Sequence, residues 1–291
     1  MGAKKTVSLV LGSGGARGLS QIGVIHWLEE NDYDIQSISG CSMGALIGGI
    51  YATGKLDVYT EWVSAITTRD MLKLLDISFG TAGMVKGEKI INTLKELVGD
   101  CKIEDLPITY TAVASDIVNE KEVWIDEGPL FDAIRASIAL PFFFTPFSIN
   151  DVELLDGGIL NPVPIAPTFS DNTQLKIAVN LGGPVDTKIK TSGLGNRRAE
   201  ARPDLINKIS GFIDNVLGDG DESEVGTLGM LDIADQSFDA MQGAIARQKL
   251  AAYPPDVIIE LPRNICGMLE FDRADEMIEL GYKAAAEKLG N

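Results

Sequence analysis

The sequence predicts an α/β fold: a mostly parallel central sheet with helices on both faces. Three observations predict it. Twice near the N-terminus a short β-branched, apolar run ends in a glycine-lined turn and passes directly into a helical pattern. Short apolar runs then keep alternating with helical stretches to the end of the chain. The 291 residues are 45% hydrophobic, enough to build the core of one such domain spanning residues 1–291.

The first strand is Thr6 to Leu11, and a glycine turn follows it. The next helix carries Leu19, Ile22, Ile25, Trp27 and Leu28, leaves Glu29 and Glu30 at its outer end, and closes at Asn31-Asp32. Ile35 to Ser39 forms the second strand. Met43 to Ala52 is a nearly all-apolar helix expected to lie buried behind the turn. Further helices are predicted at Asp57 to Thr67, Glu88 to Val98, Leu130 to Leu140, Leu205 to Leu217, Val225 to Ala252 and Arg273 to Leu289. Strands are predicted at Ile108 to Ala114, Glu122 to Ile125, Val152 to Leu155, Leu175 to Leu181 and Val257 to Leu261. No repeat of 20 to 50 residues is visible. Asp186 to Glu224 differs from its neighbours, with basic residues (Lys188, Lys190, Arg197, Arg198, Arg202) giving way to acidic ones (Asp214, Asp219, Asp221, Glu222, Glu224). It reads as a solvated polar excursion, with a membrane-facing or partner-facing patch as the alternative.

A net charge of -17 and a pI near 4.4 exclude a phosphate-neutralising nucleic-acid binder, which would need a basic face. The same acidity opposes tight docking on anionic membrane and leaves transient contact. Cys41, Cys101 and Cys266 are odd in number and widely spaced, so neither a disulfide framework nor a zinc site is indicated. A reducing, cytoplasmic setting is expected. The uncharged stretch from Ile38 to Gly54 is short for a membrane span and punctuated by glycine, which suits strand, turn and buried helix. Met1 to Thr6 loosely fits an acylation pattern, but a strand beginning at Thr6 and the early Arg17 fit neither a lipid anchor nor a signal peptide.

Chemistry concentrates in three places. Gly40-Cys41-Ser42-Met43-Gly44 is a G-x-S-x-G run, a pattern expected by chance at about 0.1 to 0.3 copies in a glycine-rich chain of this size. Its context raises it, because a strand ends at Gly40 and an apolar helix starts at Met43, the strand-to-helix turn that exposes a serine Oγ at a helix N-terminus. A histidine would be the usual base, and in the common hydrolase order it follows the serine. The only histidine, His26, precedes Ser42 on a different predicted element and reads as structural. Something other than imidazole must then activate the serine. Asp156, directly after the strand Val152 to Leu155 and followed by Gly157-Gly158, is the best candidate. Burial and a hydrogen bond to the serine would adapt an otherwise weak base.

The third place is Gly12-Ser13-Gly14-Gly15-Ala16-Arg17-Gly18, also between a strand and a helix. Such a turn aims several backbone N–H groups at an anion, either a phosphate or a developing oxyanion. A dinucleotide site would want an acidic residue at the end of the following strand, where this chain has the serine turn instead. Two glycine turns at the carboxyl ends of successive strands would stand side by side, one holding a nucleophile and the other its oxyanion donors. Cys41, beside Ser42, reads as packing. Met71 to Leu75 and Phe142 to Phe144 are candidates for either core or an acyl-chain channel.

The order G-x-G-G-x-R-G, G-x-S-x-G, D-G-G resembles the patatin-like phospholipase family, in particular its compact bacterial members. Further stretches carry the resemblance: Arg135 to Pro141 with Phe144 and Pro146, Asn161-Pro162-Val163-Pro164, Phe271 to Ala274, and Gly281-Tyr282. It covers nearly the whole chain and is weakest in Thr187 to Glu224. The resemblance implies a three-layer α/β/α hydrolase that needs no metal or other cofactor and acts on a lipid or lysophospholipid ester. Ser42 matches the family's nucleophile, Asp156 its base, and Gly14, Gly15, Ala16 and Arg17 its oxyanion loop; Gly12, Gly18, Gly40, Gly44, Gly157 and Gly158 complete the motifs. Ser13 stands where the strict motif has glycine, and Gln21 where bacterial relatives often have histidine. A non-catalytic adaptor on the same fold and a lipid acyltransferase are the alternatives, and oligomeric state is left open.

Overall fold

The computed structural model describes residues 4–74, 85–141, 143–187, 189 and 224–290. The predicted helix at Leu205 to Leu217 and most of the polar excursion lie outside these residues. Eight strands form one sheet: β1 (Lys5–Leu11), β2 (Tyr33–Cys41), β3 (Thr109–Asp116), β4 (Lys121–Ile125), β5 (Phe147–Ile149), β6 (Val152–Asp156), β7 (Leu175–Gly183) and β8 (Val257–Pro262). The helices are α1 (Ser20–Glu30), α2 (Met43–Ala52), α3 (Leu56–Ala65), α4 (Thr68–Leu74), α5 (Glu88–Val98), α6 (Leu130–Ser137), α7 (Glu224–Ala252) and α8 (Ala274–Leu289). Strands β3, β2, β1, β7 and β8 lie side by side and parallel. The α/β class and the mostly parallel sheet agree with the sequence reading.

Side chains alternate across this parallel core. Val7, Leu9 and Leu11 of β1, with Ile177 and Val179 of β7 and Ile259 of β8, join the cluster that includes α1, α2, α6 and α8. Val10, Ala178 and Ile258 point to the other face, where Val163, Ile165 and Ala246 and Leu250 of α7 cover them. Strands buried on both faces read as continuous apolar runs, which is why TVSLVL and LKIAVNL lack clean alternation. α1 lies against α8, and their crossing is close because Gly23 and Gly281 face the partner backbone. A Cβ on Gly281 would collide with Ser20 O, and one on Gly23 would stand 2.6 Å from Tyr282 N.

The carboxyl side of the sheet is completed by antiparallel strands. Up to Val113, β3 has β2 on one edge and β4 on the other: Ala112 pairs with Gly40 and Ile125, Val113 with Cys41 and Trp124. At the next residue β2 has ended. Ala114 pairs with Val123 of β4 and Asp156 of β6. A strand has only two edges, so β6 occupies the edge that β2 has just vacated and runs toward it head-on. Asp156 is therefore the next position beyond Cys41 along that line. The sequence places Asp156 directly after the strand Val152 to Leu155; it is instead the last residue of that strand, and antiparallel pairing with β3 brings it beside the end of β2. β5, only three residues long, is absent from the sequence prediction because so short a run carries no readable period.

Replacing Gly281 by Ala is expected to lower the unfolding free energy by about 1–3 kcal/mol, because the α1–α8 crossing must open to admit the methyl group. Urea denaturation at unchanged m-value checks this.

Candidate active site

Ser42 joins β2 to α2 and is 8% exposed. Its φ of 55° and ψ of -127° lie outside the regions favoured by residues with a side chain, a strain of about 1–3 kcal/mol that the surroundings must hold in place. They do so from both ends. The Ser42 N–H donates to Ser137 Oγ at 3.0 Å, and that hydroxyl donates to Val113 O at 2.6 Å. The Ser42 carbonyl accepts from the amides of Ala45 and Leu46, opening α2. Gly40 and Gly44 flank the turn where no Cβ fits: one on Gly44 would strike Leu11 O, one on Gly40 would strike Gly44 O. Ser137 has no motif of its own; a small hydroxyl residue ending α6 in the Arg135-Ala136-Ser137 stretch is its only sequence signal.

Asp156 is 1% exposed. Oδ1 accepts from Gly158 N–H at 2.7 Å, capping the short turn Gly157–Ile159, and the Asp156 amide donates to Ala139 O at 2.9 Å. Gly157 lies so close to Val113 O that a side chain would collide. Burial raises the Asp156 pKa to about 6; interaction with the Ser42 hydroxyl and the Gly158 N–H offset part of that rise. Oδ2, on the same buried carboxyl, has no formed hydrogen bond, so the carboxyl on which the Ser42 hydroxyl acts keeps free acceptor capacity. Such contacts are often loose before substrate arrives. Ser42 and Asp156 are thus brought together, 114 residues apart in sequence, by their shared register on β3.

The glycine turn after β1 stands beside the serine turn, since Leu11 pairs with Gly40. Its amides are not equivalent. Gly12 N–H donates to Val179 O (3.1 Å), Ser13 N–H to Pro162 O (2.9 Å) and Ala16 N–H to Met268 O (2.8 Å). Among the described residues the Gly14 and Gly15 N–H groups have no such acceptor. Ala16, matched to the oxyanion loop by resemblance, therefore has its amide committed elsewhere, and the free donors are Gly14 and Gly15. Arg17 is buried and spends its guanidinium within the protein: Nε donates to Gly14 O (3.1 Å), Nη1 to Arg263 O (2.7 Å), and Nη1 and Nη2 to the Asp239 carboxylate (3.2 and 2.8 Å). It fixes the loop rather than presenting charge to Ser42. Gln21 Nε2 donates to Gly12 O at 2.7 Å, a second brace from within α1.

Cys41 is fully buried with Sγ donating to Pro162 O at 3.3 Å, and burial pushes its thiol well above the usual range, so the packing reading holds. His26 lies 3.6 Å from Asp57, linking α1 to α3. Phe144 packs beneath the Arg135 guanidinium, 5.3 Å from its ring centre, and edge-on to Phe143 at 4.9 Å. Leu75 and Phe142, the remaining ends of the two apolar runs, lie outside the described residues. A shallow cleft is lined by Ser13, Arg17, Asn180, Asp239, Gln242 and Arg263 among others; Ser42 does not line it. Among the described residues no three His, Cys, Asp or Glu side chains gather as metal ligands would, and no helix is long and apolar enough to cross a membrane.

The family model described as patatin-like phospholipase matches residues 9–169, which include both glycine turns, Ser42 and Asp156. An NTE family protein of Mycobacterium tuberculosis is 38% identical over 97% of this chain and 91% of its own length. Patatin-like phospholipase domain-containing protein 6 of Homo sapiens is 32% identical over 65% of this chain and 14% of that protein. The protein named lysophospholipase NTE1 of Pyricularia oryzae is 26% identical over 98% of this chain and 18% of that protein.

Because burial raises the Asp156 pKa, its ionised form is favoured in the unfolded chain, where an aspartate titrates near 3.9. The destabilising contribution is absent below about pH 4 and grows as pH rises to about 6. Asp156→Asn keeps an oxygen for the Gly158 N–H. It is expected to stabilise the fold by about 2–3 kcal/mol at pH 8 and by almost nothing at pH 4, as thermal melts at the two pH values would show.

Proposed function

The chain belongs to the patatin-like phospholipase family, and from that premise we propose that it is a serine acyl-ester hydrolase of lipids in which Ser42 and Asp156 form a catalytic dyad. One observation carries the reading: β3 aligns the end of β2 with the end of β6, so that, among the described residues, the group beside the strained serine with both a raised pKa and a free buried acceptor oxygen is Asp156.

In this reading Ser42 Oγ attacks the ester carbonyl carbon while Asp156 takes the hydroxyl proton. The carbonyl oxygen, now negative, lies against the Gly14 and Gly15 N–H groups. Collapse of the adduct expels the alcohol, the lysolipid or headgroup portion, which leaves with the proton from Asp156. Water then attacks the acyl-serine, giving its proton to Asp156; the fatty acid departs and Ser42 regains its hydrogen. No imidazole is needed, and Gln21 offers its loop-bracing amide where bacterial relatives often carry one. The similarity to a Pyricularia protein named lysophospholipase favours a lysophospholipid among the lipid esters, and a carboxylic-ester hydrolase class follows from the same chemistry.

Ser42→Ala and Asp156→Asn should each reduce lysophospholipid hydrolysis at least 10³-fold in proteins that melt at or above the wild-type temperature, and a fluorophosphonate should label Ser42 only in the wild type. The base must be ionised, so kcat/KM should rise with pH through an apparent pKa of about 6 and then level. Full turnover by either variant, or an unlabelled wild-type Ser42, would remove the dyad.

A further inference from the structure

We infer that Asp239 on α7 is a positioning residue for the oxyanion loop, acting through Arg17 on the Gly14–Gly15 peptide. The inference rests on the proposed function, because it assigns a task to a loop that the reading makes the oxyanion site. Gly14 C=O and Gly15 N–H belong to one planar unit and point in opposite directions, so whatever holds the oxygen aims the hydrogen. Two donors hold it: Arg17 Nε at 3.1 Å and the Arg17 amide at 3.2 Å. A guanidinium on the carbonyl also polarises the peptide and strengthens its N–H as a donor.

Arg17 cannot hold that position alone. Its stem is long, and a buried guanidinium needs a partner for its charge. Asp239 supplies one in two-pronged geometry, at 2.8 and 3.2 Å, and Arg263 O takes a further Nη1 hydrogen at 2.7 Å. The neighbouring peptide is clamped from the same side, where Met268 O accepts the Ala16 N–H. The glycine loop is therefore set by α7 and by the stretch from Arg263 to Met268 that follows β8. All three anchors lie outside residues 9–169, the part matched by the family model. Residues 9–169 carry the proposed reacting groups, and later segments aim the donors.

A rival role can be separated from this one. If Asp239 only quenched the Arg17 charge, its removal would leave a cation near the developing oxyanion and turnover would hold or rise. If it positions the loop, turnover must fall at constant substrate affinity, since an oxyanion donor acts on the transition state and hardly on the ground state. The test is Asp239→Asn in the full chain, with Asp239→Glu alongside. We expect Asp239→Asn to lower kcat about tenfold or more with KM within twofold, to slow fluorophosphonate labelling of Ser42 by a similar factor, and to shift the limb near pH 6 by less than half a unit. Asp239→Glu, which keeps the charge and the fork, should restore part of the labelling rate. Arg17→Lys should lose as much as Asp239→Asn, and the double variant no more than either, because both act through one peptide. Unchanged or increased kcat in a folded Asp239→Asn protein overturns the inference, as does a loss confined to KM. These results leave the dyad standing if Ser42→Ala is inactive; an unlabelled wild-type Ser42 would instead remove the reading beneath both.

Discussion

The site depends on the edge of one strand. β3 is paired on the same side by β2 up to Val113 and by β6 from Ala114, so two segments far apart in sequence meet end to end with no residue between their ladders. Backbone hydrogen bonding thereby sets the spacing between Ser42 and Asp156 without help from flexible side chains. The consequences spread from that meeting point. Val113 O lies against Gly157 and accepts from Ser137, whose hydroxyl holds the Ser42 amide. Pro162 O, just past the Asp156 turn, receives the Ser13 amide and the Cys41 thiol. Strand end, serine turn, aspartate turn and glycine loop share carbonyls. Moving one would disturb the rest.

What could be read from the sequence was local. Met43–Ala52 and Glu88–Val98 appear with the predicted bounds because glycine or apolar periodicity marks both ends. Ser42, Asp156 and the glycine turns were visible for the same reason: each is a short pattern at a predicted strand end. Strand pairing was not visible. Asp156 reached the expected neighbourhood through an antiparallel approach, a matter of register between residues some 40 positions apart that no local period encodes. Ser137, Asp239 and Met268 stayed hidden for a related reason. A serine ending a helix, an aspartate on a long helix and a methionine carbonyl in a loop are ordinary until the fold sets them against the turn. Ala16 shows the reverse case, a motif position whose amide the tertiary structure has already claimed.

The proposed dyad, built on aspartate, would face a narrow requirement, and the surroundings of Asp156 are consistent with it. An exposed aspartate is too weak a base to take a hydroxyl proton, while one buried among apolar groups alone would stay protonated at neutral pH and accept nothing. Burial here is complete, yet the Gly158 N–H and the Ser42 hydroxyl return enough stabilisation for the carboxylate to form above about pH 6. Leaving Oδ2 without a fixed donor is the other half of the arrangement, since a second backbone N–H on that oxygen would lower its basicity and occupy a lone pair that the proposed dyad needs free. The strain at Ser42 and the raised pKa of Asp156 both cost folding free energy. Both are held by the same set of carbonyls and amides around β3, so rigidity at that edge is what lets the fold keep a buried carboxylate beside a strained serine, as the proposed dyad requires.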